Sequence, residues 1–363
     1  MITRAKFQNF KALKDAEITF DERLTVIVGP NGSGKSSILK GIYWMSQVGG
    51  VKTFAAGRDN ILAALNTTYN GTNENQVVEV WDSEKTKLQI SSHPTNILSK
   101  NEGFGSPQIG NIGSQQHCHC KIISSEGEES NYQTPKYDFD FQPAELIQLD
   151  ASRLAAPSST TTTPPLLLAD GSGLASLMAY FKLSDEPRYD QIVQLFKTVI
   201  PNITGVRLNR VNVGHESFGE GLIFDLPTRR GVTAAALSDG TLYALGLIVK
   251  ILDPQRPKLL LIDDIDHGFH PKAQLAIVDI LHKLLEEIPD LQIIATSHSP
   301  YILSGLKWDE IRVTSLREDG TAIIAPLKSH PNFETWKEAM SPGEFWSHAG
   351  EEWINQLPEK VSQ

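Results

Sequence analysis

The run Leu24-Thr-Val-Ile-Val-Gly29-Pro-Asn-Gly-Ser-Gly-Lys-Ser36-Ser37 decides how the rest of the chain is read. Its first five residues are apolar or β-branched and predict a buried strand. Gly29 to Ser36 then fits G-x-x-x-x-G-K-[ST] at every defined position. From Lys35 to about Gln47, Ile38, Leu39 and Ile42 share one face of a predicted helix. Strand, glycine-rich turn and helix in that order are the context in which this motif carries its chemistry. Gly29, Gly32 and Gly34, with Pro30, Asn31 and Ser33 between them, let the backbone wrap a triphosphate with its N–H groups inward. The helix start adds its positive end. Lys35 is expected to neutralise the β- and γ-phosphates, Ser36 to ligate Mg²⁺ and Ser37 to extend the cradle, so ATP and Mg²⁺ are the implied ligands.

Before this motif, Ile2–Phe7 and Ala16–Phe20 read as short strands. After it, residues 50–138 turn rich in Ser, Asn, Gly, Thr and Gln, with short strand-like pieces at Val77–Trp81 and Lys87–Ile90. That stretch reads as an inserted, loop-rich lobe. Pro157–Pro165 is a low-complexity linker that its prolines keep out of a helix. Helices are predicted over Leu174–Phe181 and Gln191–Val199, and strands over Val206–Val213 and Leu222–Leu226. Beyond Ala236 the pattern becomes regular: helix Thr241–Leu252, strand Leu259–Ile262, helix Lys272–Glu287, strand Gln292–Ala295. Alternating apolar strands and helices predict an α/β fold with a parallel sheet covered on both faces. Strands at Glu310–Thr314 and Ala322–Pro326 and a Trp-bearing helical tail from 331 follow. No internal repeat is visible.

The 363 residues are 40% hydrophobic and 21% charged, which excludes fibrous and wholly disordered classes. A net charge of −10 argues against a surface that grips nucleic acid all over. The two cysteines, Cys118 and Cys120, make no disulfide framework and point to a reducing compartment. Met1 to Phe10 lacks the apolar core of a signal peptide. The richest apolar run, Tyr243–Leu252, is interrupted by Lys250 and is too short for a membrane span. A cytoplasmic protein without a membrane partner is expected.

Three further motifs refine the site. Leu259-Leu-Leu-Ile-Asp263-Asp264 is an apolar strand ending in two carboxylates. The first is suited to hold Mg²⁺, and the second to orient or deprotonate the attacking water. Leu237-Ser-Asp-Gly-Thr241 opens a helix whose Ser238 hydroxyl and unpaired N–H groups make a second anion site. Ile293-Ile-Ala-Thr-Ser-His298-Ser-Pro places His298 just past a strand end, where it can hydrogen-bond a γ-phosphate.

Ser238 precedes Asp263 by 25 residues and His298 follows it by 35, the order of signature, Walker B and switch. This set resembles the ATP-binding cassette and SMC-type ATPases. With Asn9-Phe-Lys-Ala-Leu-Lys-Asp15, Gly268-Phe-His-Pro271 and Thr296-Ser-His-Ser-Pro300 it looks like the OLD-like group of prokaryotic AAA ATPases, many of which belong to phage-defence operons. The resemblance covers residues 1–45 and 205–310 well and the insert poorly. It implies an ABC-type head with an N-terminal antiparallel β subdomain (1–49 with 139–330), an inserted lobe (50–138) and a helical tail (331–363). It also implies a composite ATP site. Lys35, Ser36, Asp263, Asp264 and His298 of one subunit would face Ser238 and Gly240 of another, giving a homodimer or higher homo-oligomer. The family's metal-directed Gln is placed at Gln148 in Leu146-Ile-Gln-Leu-Asp150, where an ordinary strand residue is the other reading. Asp264 stands where the family usually has the longer Glu, so slow hydrolysis is expected. Asp239 stands where many relatives carry a small residue.

OLD nucleases carry a TOPRIM domain after the switch histidine, and only 65 residues follow His298 here. The 200 residues between Ser36 and Leu237 contain no sustained heptads for an SMC arm. The expected function is therefore an ATP-gated regulatory ATPase of an anti-phage defence system, controlling a separately encoded nuclease or toxin. A RecF-like recombination or repair ATPase, with nucleic acid as partner, is the alternative; a transport ATPase fits least. His117-Cys-His-Cys120 is poor geometry for a tetrahedral metal site and reads as a polar loop. Trp346 and Trp353, seven apart, are placed on one face of the tail helix with Trp336 and Phe345 nearby, for core packing or for docking a partner. Arg207, Arg210, Arg229 and Arg230 read as a solvated strand face before a DNA contact. Arg153 pairs with Asp150 or reaches the nucleotide.

Overall fold

The computed structural model describes residues 1–49, 76–82, 87–95, 115–123, 129–131, 143–159, 162–214 and 217–357. The chain begins with β1 (Ile2–Phe10), β2 (Leu13–Thr19), β3 (Leu24–Val28) and α1 (Lys35–Gly49). β4 (Gln76–Asp82), β5 (Lys87–Thr95), β6 (Gln115–Ile123), β7 (Glu129–Asn131) and β8 (Glu145–Ile147) follow. Next come α2 (Ala151–Ala155), α3 (Leu174–Ser184), α4 (Glu186–Val199), β9 (Gly205–Gly214), β10 (Ser217–Asp225) and β11 (Val232–Thr233). The second half runs α5 (Asp239–Leu252), β12 (Leu259–Ile262), α6 (Pro271–Glu287), β13 (Gln292–Ser297), α7 (Pro300–Ser304), β14 (Ile311–Leu316) and β15 (Ala322–Pro326). Two short helices, α8 (Phe333–Trp336) and α9 (Pro342–Ala349), and a 3₁₀ turn at Glu352–Gln356 complete it.

The central sheet has the order β15-β14-β3-β13-β12-β8. All its neighbours are parallel except β14 and β15. β3, β12 and β13 are buried along their whole length, which is why their sequences are continuously apolar. Alternate residues of β3 feed opposite cores. Ile27 packs with Ile38, Leu39 and Ile42 of α1, while Leu24, Val26 and Val28 pack with α3 to α6. The register sets Val28 opposite Ser297, and Ile262 opposite both Ala295 and Ile147. The phosphate loop, Asp263, His298 and Gln148 therefore leave the sheet at one carboxyl edge, where α/β sheets bind ligands.

β1 pairs with β2 on one side and β4 on the other, giving a six-stranded antiparallel sheet of order β2-β1-β4-β5-β6-β7. The strands expected in an inserted lobe thus extend the N-terminal sheet. Val78, Val80 and Leu88 join Phe7, Phe10 and Leu13 in the core beneath α1, so burial rewards that pairing. His117–Cys120 lies in β6, paired along β5, and is a strand where a loop was expected. Buried Gln292 fastens the first strand to the core, accepting from the Ile2 N–H and donating to the Ile2 carbonyl, both at 2.8 Å.

Lys250, which breaks the apolar run of α5, is buried with its ammonium on Glu145 Oε1 at 2.7 Å and on the Leu167 carbonyl. It ties the signature helix to β8. The tail is held by close packing, since a Cβ at Gly343 would lie 1.9 Å from the Pro300 carbonyl oxygen. α9 ends at Gly350, whose φ of 61° suits glycine, so Trp353 sits in the 3₁₀ turn and not on a helical face shared with Trp346. Phe345 and Trp353 are buried, Trp336 is partly exposed, and the last described residue is Leu357.

Candidate nucleotide site

Glycine is required in the phosphate loop for two separate reasons. Gly29, Gly32 and Gly34 all have positive φ, at 147°, 81° and 93°. Gly29 also lies against β14, where a Cβ would fall 2.2 Å from the Thr314 carbonyl oxygen. Pro30, Asn31 and Gly32 form the exposed tip, with Ser37 half-buried in the first helical turn. The Ser33 hydroxyl is bonded to Thr314 Oγ1 at 2.5 Å in the buried floor, so its side chain braces the loop; the expected phosphate contact is left to its backbone. Lys35 is buried, and its ammonium donates to the Gly29 and Pro30 carbonyls at 2.9 Å each. Burial holds that ammonium below its ordinary value, against the opposing pull of Asp264, Asp263, Glu351 and Asp266.

The two carboxylates after β12 differ in how tightly they are held. Asp263 Oδ1 accepts from the Ser36 hydroxyl at 3.1 Å and from the Thr296 hydroxyl at 2.7 Å. A serine hydroxyl and a fixed carboxylate are the hard oxygen donors that Mg²⁺ prefers. Asp264 is exposed and has a left-handed backbone with φ of 53°. Asp tolerates that region better than Glu, so the local backbone accounts for the shorter acid here. Its N–H donates to Thr296 Oγ1 at 2.8 Å, and its Oδ1 lies 3.8 Å from His298 Nε2, beyond a direct hydrogen bond. Partial desolvation at the sheet edge and the neighbouring Asp263 charge push the Asp264 carboxyl above its usual value, with His298 opposing. Such an acid is a better proton acceptor near neutrality than an ordinary aspartate.

Asp266, which carried no motif, holds the switch loop. Its Oδ1 accepts from the Ser297 hydroxyl at 2.6 Å and the His298 N–H at 3.1 Å. Gln148 is exposed just past β8 and lines a cavity of about 260 Å³ together with Asp263, Asp264, Tyr243, His267 and Phe269. The sheet edge thus brings Gln148, Asp263, Asp264, His298 and the phosphate loop together. Asp150 caps α2, accepting from the Arg153 N–H, and the Arg153 guanidinium lies 3.9 Å from Asp170.

Ser238 opens a different element. It is the exposed N-cap of α5, its hydroxyl 2.8 Å from Thr241 Oγ1. Gly240 is buried, and a Cβ there would fall 2.0 Å from the Gly268 carbonyl oxygen. Within the chain, its lack of a side chain allows α5 to approach the turn after Asp264 closely. On the outlying β9–β10 hairpin, Arg207 makes a two-point ion pair with Asp225 at 2.9 and 2.7 Å, and Arg210 stacks over Phe218. Among the described residues no cluster of His, Cys, Asp and Glu has the makings of a metal centre, and no helix is long and apolar enough to cross a membrane.

Two family profiles match in succession. "AAA ATPase domain" covers residues 1–143, and "AAA domain, putative AbiEii toxin, Type IV TA system" covers 149–304. Each profile spans less than half of the chain, and the fold is shared with SMC head domains. The solved SMC head bound to the C-winged helix domain of ScpA superposes on this chain with a TM-score of 0.56 at 16% identity, covering 89% of this chain and 96% of that one. The Pyrococcus furiosus Smc head bound to the C-terminal domain of ScpA gives 0.51 at 14%, covering 93% and 98%. In sequence, the chain is 24% identical to the Septu protein PtuA of Bacillus mycoides over 340 residues, 89% of this chain and 42% of PtuA. It is 31% identical to the chromosome partition protein Smc of Methanococcus voltae over 27% of this chain and 8% of Smc. It is 35% identical to RecF of Geobacter metallireducens over 19% of this chain and 18% of RecF. The chain spans less than half the length of each of these curated relatives.

Proposed function

We propose that this ATPase is the regulatory subunit of a prokaryotic anti-phage system, closing as a homodimer or larger ring around ATP and so controlling a separately encoded nuclease or toxin. The observation that carries the proposal is a second, exposed helix start on an element other than the one that carries the cradle. The Gly29–Ser37 cradle lies at the sheet edge, whereas the Ser238 N-cap is exposed on α5 and bonded only within its own turn. A γ-phosphate held by Lys35 and approached by His298 would gain its remaining donors from the Ser238 helix start of a second copy. Mg²⁺ would be held by Ser36 and Asp263, with Gln148 facing the same space, and would shield phosphate charge. Asp264 then accepts the proton of the attacking water, and His298 steadies the water and the departing phosphate.

The defence assignment is supported by the breadth of the likeness to the Septu protein, which extends over 89% of this chain. RecF shares a much shorter segment, and the outlying Arg207 is already neutralised by Asp225. Purification from the native operon should yield a second protein whose retention depends on ATP. A lone chain giving full protection would contradict the proposal, and salt-sensitive DNA binding that requires ATP would favour the RecF-like reading.

A further inference from the structure

The end of β13 grips the turn that carries the two carboxylates residue by residue. Ile262 lies opposite Ala295 in the parallel pairing of β12 with β13, so Thr296 comes level with Asp263. Thr296 is wholly buried. Its hydroxyl donates to Asp263 Oδ1 at 2.7 Å and accepts from the Asp264 N–H at 2.8 Å, so one oxygen contacts both residues. Its carbonyl accepts from the Ile265 N–H at 2.9 Å. The following residues continue the pattern on Asp266, whose Oδ1 accepts from the Ser297 hydroxyl at 2.6 Å and the His298 N–H at 3.1 Å. Held between these contacts, Asp264 has a φ of 53°, a left-handed conformation that a non-glycine residue keeps only where its surroundings over-determine it.

We infer that Thr296 is a positioning residue for hydrolysis: its hydroxyl fixes the backbone on which Asp264 stands, and so aims that carboxylate relative to Asp263. The proton and the acceptor site of this hydroxyl are both in use, and a valine of the same shape would supply neither. Without the hydroxyl, the Asp264 N–H loses this acceptor, and Asp263 Oδ1 keeps only its donor from Ser36. The turn at Asp264 is then free to relax out of the left-handed region, carrying the carboxylate away from the attacking water. A misplacement on the order of 1 Å costs about 10²-fold in rate. The cradle is braced separately, by Thr314 on Ser33 and by Lys35 on the Gly29 and Pro30 carbonyls, so ATP binding should survive the loss. Thr296 acts through Asp264, and the inference rests on the reading of Asp264 as the proton acceptor.

The test compares Thr296→Val, Thr296→Ser and Thr296→Ala in the full chain, by phosphate release under MgATP and by amide hydrogen exchange of the segment 263–269. Thr296→Val keeps the volume and removes the hydroxyl, whereas Thr296→Ser and Thr296→Ala both lack the methyl and differ from each other only in the hydroxyl. Positioning predicts that Thr296→Ser stays within about threefold of the wild-type kcat, while Thr296→Val and Thr296→Ala lose about 10- to 100-fold with KM for ATP changed by less than about threefold. The segment 263–269 should also exchange faster in Thr296→Ala than in Thr296→Ser, with or without nucleotide. A packing role gives the opposite order, with Thr296→Val nearest to wild type and the other two impaired alike. A folded Thr296→Val with the wild-type kcat, an equal fall in Thr296→Ser and Thr296→Ala, or a loss confined to KM overturns the proposal. Should Thr296→Val fail to fold, the comparison of Thr296→Ser with Thr296→Ala decides alone. Wild-type hydrolysis by Asp264→Asn would instead refute the reading of Asp264, and the exchange measurement still reports whether Thr296 holds the turn.

Discussion

Asp264→Asn separates the chemistry of this site from its architecture. The substitution preserves size and the left-handed backbone at φ 53°, a region that Asn enters as readily as Asp. The Thr296 hydroxyl still accepts from the residue's N–H, and Asp263 keeps both of its donors, so nucleotide binding should be retained. What is lost is a proton acceptor, worth about 10²- to 10⁴-fold in rate for a general base. Stability should move the opposite way. The Asp264 carboxyl is raised above its unfolded value, so its ionised form is disfavoured in the folded state and weakens the fold as pH rises through the folded-state pKa. Asn removes that weakness, and the variant should melt no lower than wild type at neutral pH and slightly higher. The wild-type rate should fall on acidification earlier than an ordinary aspartate base would allow. Phosphate release under saturating MgATP, with thermal melts and ATP titrations in parallel, checks these outcomes together. A variant that hydrolyses ATP at the wild-type rate would refute the role given to Asp264.

Two substitutions probe how the signature helix is held. In Gly240→Ala the new methyl meets backbone at 2.0 Å, and neither α5 nor the Gly268 turn is a flexible side-chain end. The helix-propensity gain of about 1 kcal/mol should be outweighed, giving a net loss of roughly 1–2 kcal/mol in denaturant unfolding; an unchanged midpoint would show that the turn yields easily. Lys250→Ala leaves the Glu145 carboxylate without its buried partner and should cost about 3–5 kcal/mol, while Lys250→Met with Glu145→Gln recovers most of it. Loss below about 1 kcal/mol in the single variant would mean water solvates Glu145.

The cradle and its flanking strand and helix were legible because three constraints coincide in a short segment: glycines at positive φ, an apolar strand and a helical stripe. The fully buried β12 and β13 announced themselves in the same way, through continuous apolar runs. The pairing of β4 onto β1 was not legible, since register between strands so far apart depends on which face is buried beneath α1. The contact of Gly240 with Gly268 was signalled by two glycines in separate motifs, but only the folded turn shows that they meet. Asp264 in place of Glu was visible in the sequence; the backbone conformation that suits it was not.

Everything proposed about regulation depends on ATP joining two copies of the chain through Ser238. Solution mass measured by light scattering at saturating ATP and Mg²⁺ should double or rise further for Asp264→Asn. It should stay at the single-chain value for the same variant carrying Ser238→Arg, with ATP still bound. A single-chain mass for Asp264→Asn with nucleotide fully bound would contradict the account.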